Sequence, residues 1–146
     1  MNSELRDWLM RGWKLEWEIT ALMNAREEAL AKCLSAGGSG TARVSGSKSV
    51  RSRPMEAYAE LSDKINDRID CLCSVRTEII DAIAALPESR MRAVLTERYV
   101  ACYTWEVIAE HLNTDTRNIY RLHLTALRML ENETDSRLYA RKSVCT

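Results

Sequence analysis

The chain of 146 residues has no Phe, two Pro, two His and five Gly, four of the glycines lying between positions 37 and 46. With so few breakers elsewhere, most of the chain is free to form long helices. Long apolar runs are also missing. The longest, Ala82–Leu86 and Tyr99–Tyr103, are five residues each, against the roughly 20 that cross a bilayer, so no membrane partner is expected. Net charge is zero, with 21 Lys and Arg against 21 Asp and Glu, which at face value opposes a polyanion partner. The five cysteines, Cys33, Cys71, Cys73, Cys102 and Cys145, form no even framework, and no apolar leader follows Met1. A reduced, cytoplasmic compartment is the expectation. The length fits one domain or a small pair and excludes a large multidomain enzyme.

What is present is helical periodicity. From Ser3 to Ser35 a heptad-like row runs Leu5, Trp8, Gly12, Leu15, Ile19, Leu22, Arg26, Ala29 and Cys33, predicting one long amphipathic helix. From Met55 to Leu86 the row returns as Tyr58, Ser62, Ile65, Ile69, Leu72, Arg76, Ile79, Ile83 and Leu86, closed by Pro87. Each helix would be roughly 45–50 Å long, too long for a small globule to bury, so the two are expected to fold back antiparallel and to self-associate. Ser62, Arg26 and Arg76 are polar intrusions that set register in such a bundle or point to solvent. Ala36–Pro54 reads as a flexible Gly/Ser-rich connector whose charged residues, Arg43, Lys48, Arg51 and Arg53, are all basic. Such an arm can follow a phosphate backbone or remain a solvated linker.

After Pro87 the pattern shortens to three helices, Glu88–Ala101, Thr104–Leu112 and Thr116 to about Glu131, before a tail from residue 133. Thr104–Leu127 fits a helix-turn-helix. Thr104 can cap the first helix, Val107, Ile108 and Leu112 supply its apolar stripe, and Ala109 lets the next helix cross closely. Asn113 tolerates a left-handed turn, and Asp115 is a good N-cap for a helix with inward Ile119, Leu122, Ala126 and Leu130. Its outward positions, Thr116, Arg117, Tyr120, Arg121 and Leu124, together with Asn118, carry the side chains that read bases and phosphates. From Thr116 to Leu130 there are three arginines, Arg117, Arg121 and Arg128, and no acid. A plain three-helix bundle with solvated arginines would carry the same pattern.

Glu106-Val107-Ile108-Ala109 before the turn and Ala126-Leu127 at the end of the last helix resemble region 4 of sigma-70-type RNA polymerase sigma factors, with one residue inserted. Nearly the whole chain resembles the small phage- and prophage-encoded sigma-region-4-like proteins allied to the ArpU/RinA late-transcription regulators. The matching residues are Arg98-Tyr99, Trp105, Ile108-Ala109, Leu112-Asn113, Arg121-Leu122-His123 and Ala126-Leu127. The hairpin likeness is architectural only. The resemblance implies double-stranded DNA as partner, host RNA polymerase as a second one, a bacterial host cytoplasm, and a transcription-regulating role without enzymatic activity. No promoter-melting region is present, and Asp115-Thr116 stands where such sigma helices often begin Ser-Glu.

Other constellations fail on spacing. Gly40, Gly46, Ser47 and Lys48 place five residues between the glycines and a Ser before the Lys, unlike a Walker loop. Cys71 and Cys73 point roughly 200° apart on a helix and cannot share an ion. His111 and His123 fall on different helices; His123 reads as a packing residue or, alternatively, a DNA-backbone contact. Trp8, Trp13 and Trp17 cannot share one seam and form either a packing cluster or a polymerase contact. No catalytic residue, metal site or cofactor is expected.

The sequence therefore predicts an all-α chain: a hairpin over residues 1–86 with its connector at 36–54, a helix-turn-helix domain over 87–132 and a tail over 133–146. Two rival readings share that pattern, a small-terminase-like DNA-packaging factor and a protein–protein adaptor without DNA binding. The zero net charge resolves into segments: −1 for 1–35, +4 for 36–54, −4 for 55–86, 0 for 87–132 and +1 for the tail. Balance over the whole chain thus does not exclude DNA.

Overall fold

The computed structural model describes residues 3–37 and 48–133. Among them every regular element is an α-helix. Its elements are α1 (Ser3–Leu9), α2 (Arg11–Gly37), α3 (Lys48–Ile83), α4 (Ser89–Tyr99), α5 (Trp105–His111) and α6 (Thr116–Glu133). Of the tail, Glu133 ends α6 and residues 134–146 lie outside the described residues. Among the described residues no helix is long and apolar enough to cross a membrane.

Two expectations about helix limits need correction. The first helix is interrupted at Met10, with Met10 N–H bonded to Arg6 O and Lys14 N–H to Met10 O on either side. Two residues on, Gly12 is buried so closely that a Cβ there would lie 2.8 Å from the Tyr99 carbonyl oxygen. The second helix begins at Lys48 rather than Met55, with Pro54 inside it. Proline disfavours helix in the residue before it and deletes one backbone bond. Here its ring is half-buried in a groove lined by Ala25, Ala29, Ala57 and Leu61, and that packing offsets the penalty. Lys48, Arg51 and Arg53, expected on a flexible arm, are thus on helical backbone. Arg43 and the rest of 38–47 lie outside the described residues.

The chain divides into two compact units, 1–14 with 71–146, and 15–70. In the first, α4, α5 and α6 pack on one another around Val94, Ile108, Ala109 and Ile119, with Trp105, Leu112 and Leu122 against them. Leu5, Leu9, Val75, Ile79, Ile83 and Leu86 are buried in the same unit. An ion pair joins Arg11 Nη2 to Glu78 Oε2 at 2.7 Å.

The turn between α5 and α6 follows from its residues. Asn113 has φ 51°, Thr114 N–H bonds Ala109 O and Asn113 N–H bonds Glu110 O. This is a Schellman cap with Asn supplying the left-handed residue. Asp115 then caps α6, its Oδ1 accepting from Asn118 N–H at 2.7 Å. Thr104 has the extended backbone of an N-cap, but its hydroxyl makes no capping bond, so the side-chain cap expected of it does not form. Cys102, with φ 59°, is a second left-handed residue without any sequence signal.

In the second unit α2 and α3 run in opposite directions: Arg68 Nε meets Glu18 Oε1 at 3.2 Å, and Arg26 Nη1 reaches Ser62 Oγ at 3.5 Å. Among its described residues the buried apolar side chains are Leu15, Ile19, Ala29 and Ile65. Cys33, Cys73 and Cys102 are free thiols, whereas Cys71 is disulfide-bonded, which a reduced compartment does not lead one to expect.

Candidate nucleic-acid interface

Helix α6 is strongly two-sided. Ile119, His123, Ala126, Leu127 and Leu130 are buried, and Leu122 is half-buried. This side anchors the helix on α4 and α5 and leaves the other to solvent. Thr116, Arg117, Tyr120, Arg121 and Arg128 are exposed, and Asn118 and Leu124 half-buried. At 3.6 residues per turn Arg117, Arg121, Leu124 and Arg128 form one row, about 16 Å from first to last. Asp115, Arg117, Asn118, Tyr120, Arg121 and Leu124 line an open groove of about 500 Å³. A second groove borders it, lined by Trp105, Glu106, Thr116, Arg117 and Tyr120.

Asn118 is not a free base-reading amide. Its Nδ2–H donates to Thr114 Oγ1 at 2.9 Å, and its Oδ1 accepts from Arg121 Nη2 at 2.9 Å. The two bonds form a relay that orients the Arg121 guanidinium.

Beneath the exposed face lies an aromatic cluster that hydrophobic periodicity does not reveal. The Trp105 ring meets Tyr120 edge-on at 5.5 Å and His123 at 4.7 Å. The Arg98 guanidinium lies 4.2 Å from the Trp105 centroid and 4.7 Å from that of Trp13. Trp13 Nε1–H donates to Arg98 O at 2.7 Å, and Arg98 Nη1–H to Tyr103 O at 2.9 Å. Of the three early tryptophans, Trp13 therefore packs within its own unit. Trp8 lies under Arg11 at 4.7 Å, and Trp17 is largely exposed.

His123 is the packing residue, 2% exposed. Its Nε2 shares a 2.7 Å hydrogen bond with the Tyr99 hydroxyl, while Nδ1 is buried without a partner. Burial, reinforced by the positive charges of Arg6 and Arg98, pushes its pKa down to about 4. Burial likewise raises Tyr99 and lowers Arg98. His111 is exposed and pairs with Glu97 at 2.8 Å.

The residues expected on the basic arm belong to the 15–70 unit. Lys48 and Arg51 fall in the opening turns of α3, with side chains outside the described residues. Arg53 is exposed in the other unit, beside Glu28 and Lys32. Among the described residues, no group of three or more His, Cys, Asp or Glu could hold a metal ion. Compared with family models, curated proteins and solved structures, the chain matches none.

Proposed function

We propose that the chain binds double-stranded DNA in a sequence-specific manner through the exposed face of α6 and regulates transcription. The observation that carries this reading is the acid-free row of Arg117, Arg121 and Arg128, with Tyr120 beside it, on a helix whose opposite side is buried. B-DNA's major groove is about 12 Å wide and admits one helix, so a row of about 16 Å can reach bases at its centre and phosphates at its ends. In this reading α5, the Asn113 turn and α6 form a helix-turn-helix, and the 15–70 unit is the assembly arm. The sigma-region-4-like resemblance extends the proposal to phage or prophage promoters and to contact with host RNA polymerase.

The test is selection of duplexes from a randomised pool by the full chain, followed by salt titration of the selected site. Replacing Arg117 and Arg121 by Ala should cost about 1–3 kcal/mol per lost base contact and flatten the salt dependence for each lost phosphate contact. Equal binding by the double variant sinks the assignment of the face. Failure of the native chain to bind any duplex at low salt favours the adaptor reading.

A further inference from the structure

Among its described residues the 15–70 unit buries few apolar side chains, and apart from Trp17, 59% exposed, its exposed large apolar side chains gather on one face. Met23, Leu30 and Leu34 on α2 are 41%, 43% and 70% exposed, and Met55 and Ile69 on α3 are 66% and 40% exposed. On α2 the inward row runs Leu15, Ile19, Leu22, Arg26 and Ala29. At 100° per residue Met23, Leu30 and Leu34 form a second row about 80° round the helix from it. On α3 the inward row includes Tyr58, Leu61, Ile65 and Arg68, and Met55 and Ile69 are offset from it by roughly 60–100° in the same rotational sense. Antiparallel helices are related by a two-fold axis across the pair, so equal offsets in one sense bring both rows to the same face. Contacts agree with this placement. Arg26, Tyr58 and Ser62, offset in that sense, meet each other, with the guanidinium 5.7 Å from the Tyr58 centroid. Glu18 and Arg68, offset the other way, pair on the opposite face, where Glu28, Lys32 and Arg53 also lie.

We propose that the Met23–Leu30–Leu34–Met55–Ile69 face docks a second copy of this chain, two helix pairs closing into a four-helix bundle. The exposed parts of these five side chains amount to roughly 500 Å² of apolar surface, taking about 200 Å² for each side chain fully exposed. A standard interface buries about 800 Å² per partner, somewhat under two-thirds of it apolar, which is about the same amount. Charge supports a self-contact over an oppositely charged partner. Between positions 55 and 69 the share of α3 in this face, Met55, Ala59, Ser62, Asn66 and Ile69, carries no charge. On α2, Glu27 sits at the edge of the row, Glu16 lies in line with it seven residues before Met23, and Arg26 is tied to Ser62 and Tyr58. Such a face meets its own copy with little like-charge repulsion, as an isologous contact requires. The inference is independent of DNA binding, since it concerns another unit and another surface.

Sedimentation equilibrium of the full chain, without DNA, is the test, and a dimer is expected. Leu30→Asp with Met55→Asp should weaken association by at least about 100-fold, because each buries a carboxylate against an apolar partner. Glu60→Ala with Lys64→Ala, on the α3 surface away from this face, should leave it unchanged. If the Asp variant loses helicity by circular dichroism, a photo-crosslinking amino acid at position 34 decides the matter: it should trap a covalent dimer, and one at position 64 should not. A monomer at tens of micromolar, a ring of many subunits, a folded Asp variant that dimerises normally, or crosslinks from position 64 and not 34 overturns the proposal.

Discussion

His123 makes the stability of this protein depend on pH in a window set by its burial. The side chain is 2% exposed, its Nδ1 has no partner, and its pKa in the folded chain is about 4, against about 6.5 for an unperturbed histidine. Because the folded value is the lower one, the contribution of the neutral imidazole is complete above pH 6.5. It is lost as pH falls, since the unfolded chain binds the proton first. Each tenfold difference in proton affinity between the two states is worth about 1.36 kcal/mol. The loss is therefore small at pH 6.5, reaches about 2.5 kcal/mol by pH 4.5 and levels near 3.4 kcal/mol, roughly, below pH 4. Carboxylates also titrate there, so the quantity to measure is a difference. His123→Gln keeps a hydrogen-bonding side chain beside the Tyr99 hydroxyl and cannot titrate. Urea unfolding of both proteins at pH 7.5, 5.5 and 4.5 should show the native chain losing about 2.5 kcal/mol more than the variant by pH 4.5. Curves that fall in parallel would refute the reasoning.

Two further predictions concern backbone geometry. Gly12→Ala gains about 1 kcal/mol of helix propensity, but its Cβ would sit 2.8 Å from the Tyr99 carbonyl oxygen. Backbone cannot yield as a side chain tip can, so the net change in urea unfolding should be a loss of about 1–3 kcal/mol; an equal or more stable variant overturns this. Asn113→Gly should keep stability and Asn113→Ala lose about 1–2 kcal/mol, because position 113 has φ 51°. Matching thermal unfolding of the two variants would remove the left-handed turn from the explanation.

The part of this structure legible in the sequence is the part set by local signals. The limits of α4, α5 and α6 lie within two residues of expectation, because Pro87, Asn113 and Asp115 act on their immediate neighbours. Every inward position expected for the first long helix, from Leu5 to Cys33, is buried or half-buried. So is every one of the second except Ile69, whose apolar character the pattern took for core; in the proposed dimer it packs against a second chain. The start of α3 was not legible, because Gly and Ser composition and Pro54 all argue for a loop, and packing of the proline ring outweighs them. In the candidate site, exposure of Arg117, Tyr120 and Arg121 follows from the helical period. The relay through Asn118 and the stacking of Arg98 between Trp13 and Trp105 do not. The first depends on rotamers, and the second joins residues 85 and seven positions apart.

The zero net charge says less about DNA binding than the local field at α6. Exposed charges more than a Debye length apart, about 10 Å at 0.1 M salt, are largely screened from one another, so a phosphate at this face responds chiefly to the nearest side chains. Those are Arg117, Arg121 and Arg128 on the favourable side. Opposing them are Glu106, which shares a groove with Arg117, and Asp115, which lines the groove of Arg121. Asp115 is fixed in place by its capping bond to Asn118, and its carboxylate cannot be removed without losing the start of the helix. Three arginines against two nearby carboxylates give a weak non-specific attraction for one copy of α6. On the proposed reading, affinity must then come from base contacts and from linking two copies of the helix on one duplex, where the second binds at a raised effective concentration. That is the advantage the proposed dimer through the 15–70 unit would supply, and under the two proposals together the oligomeric state sets DNA affinity.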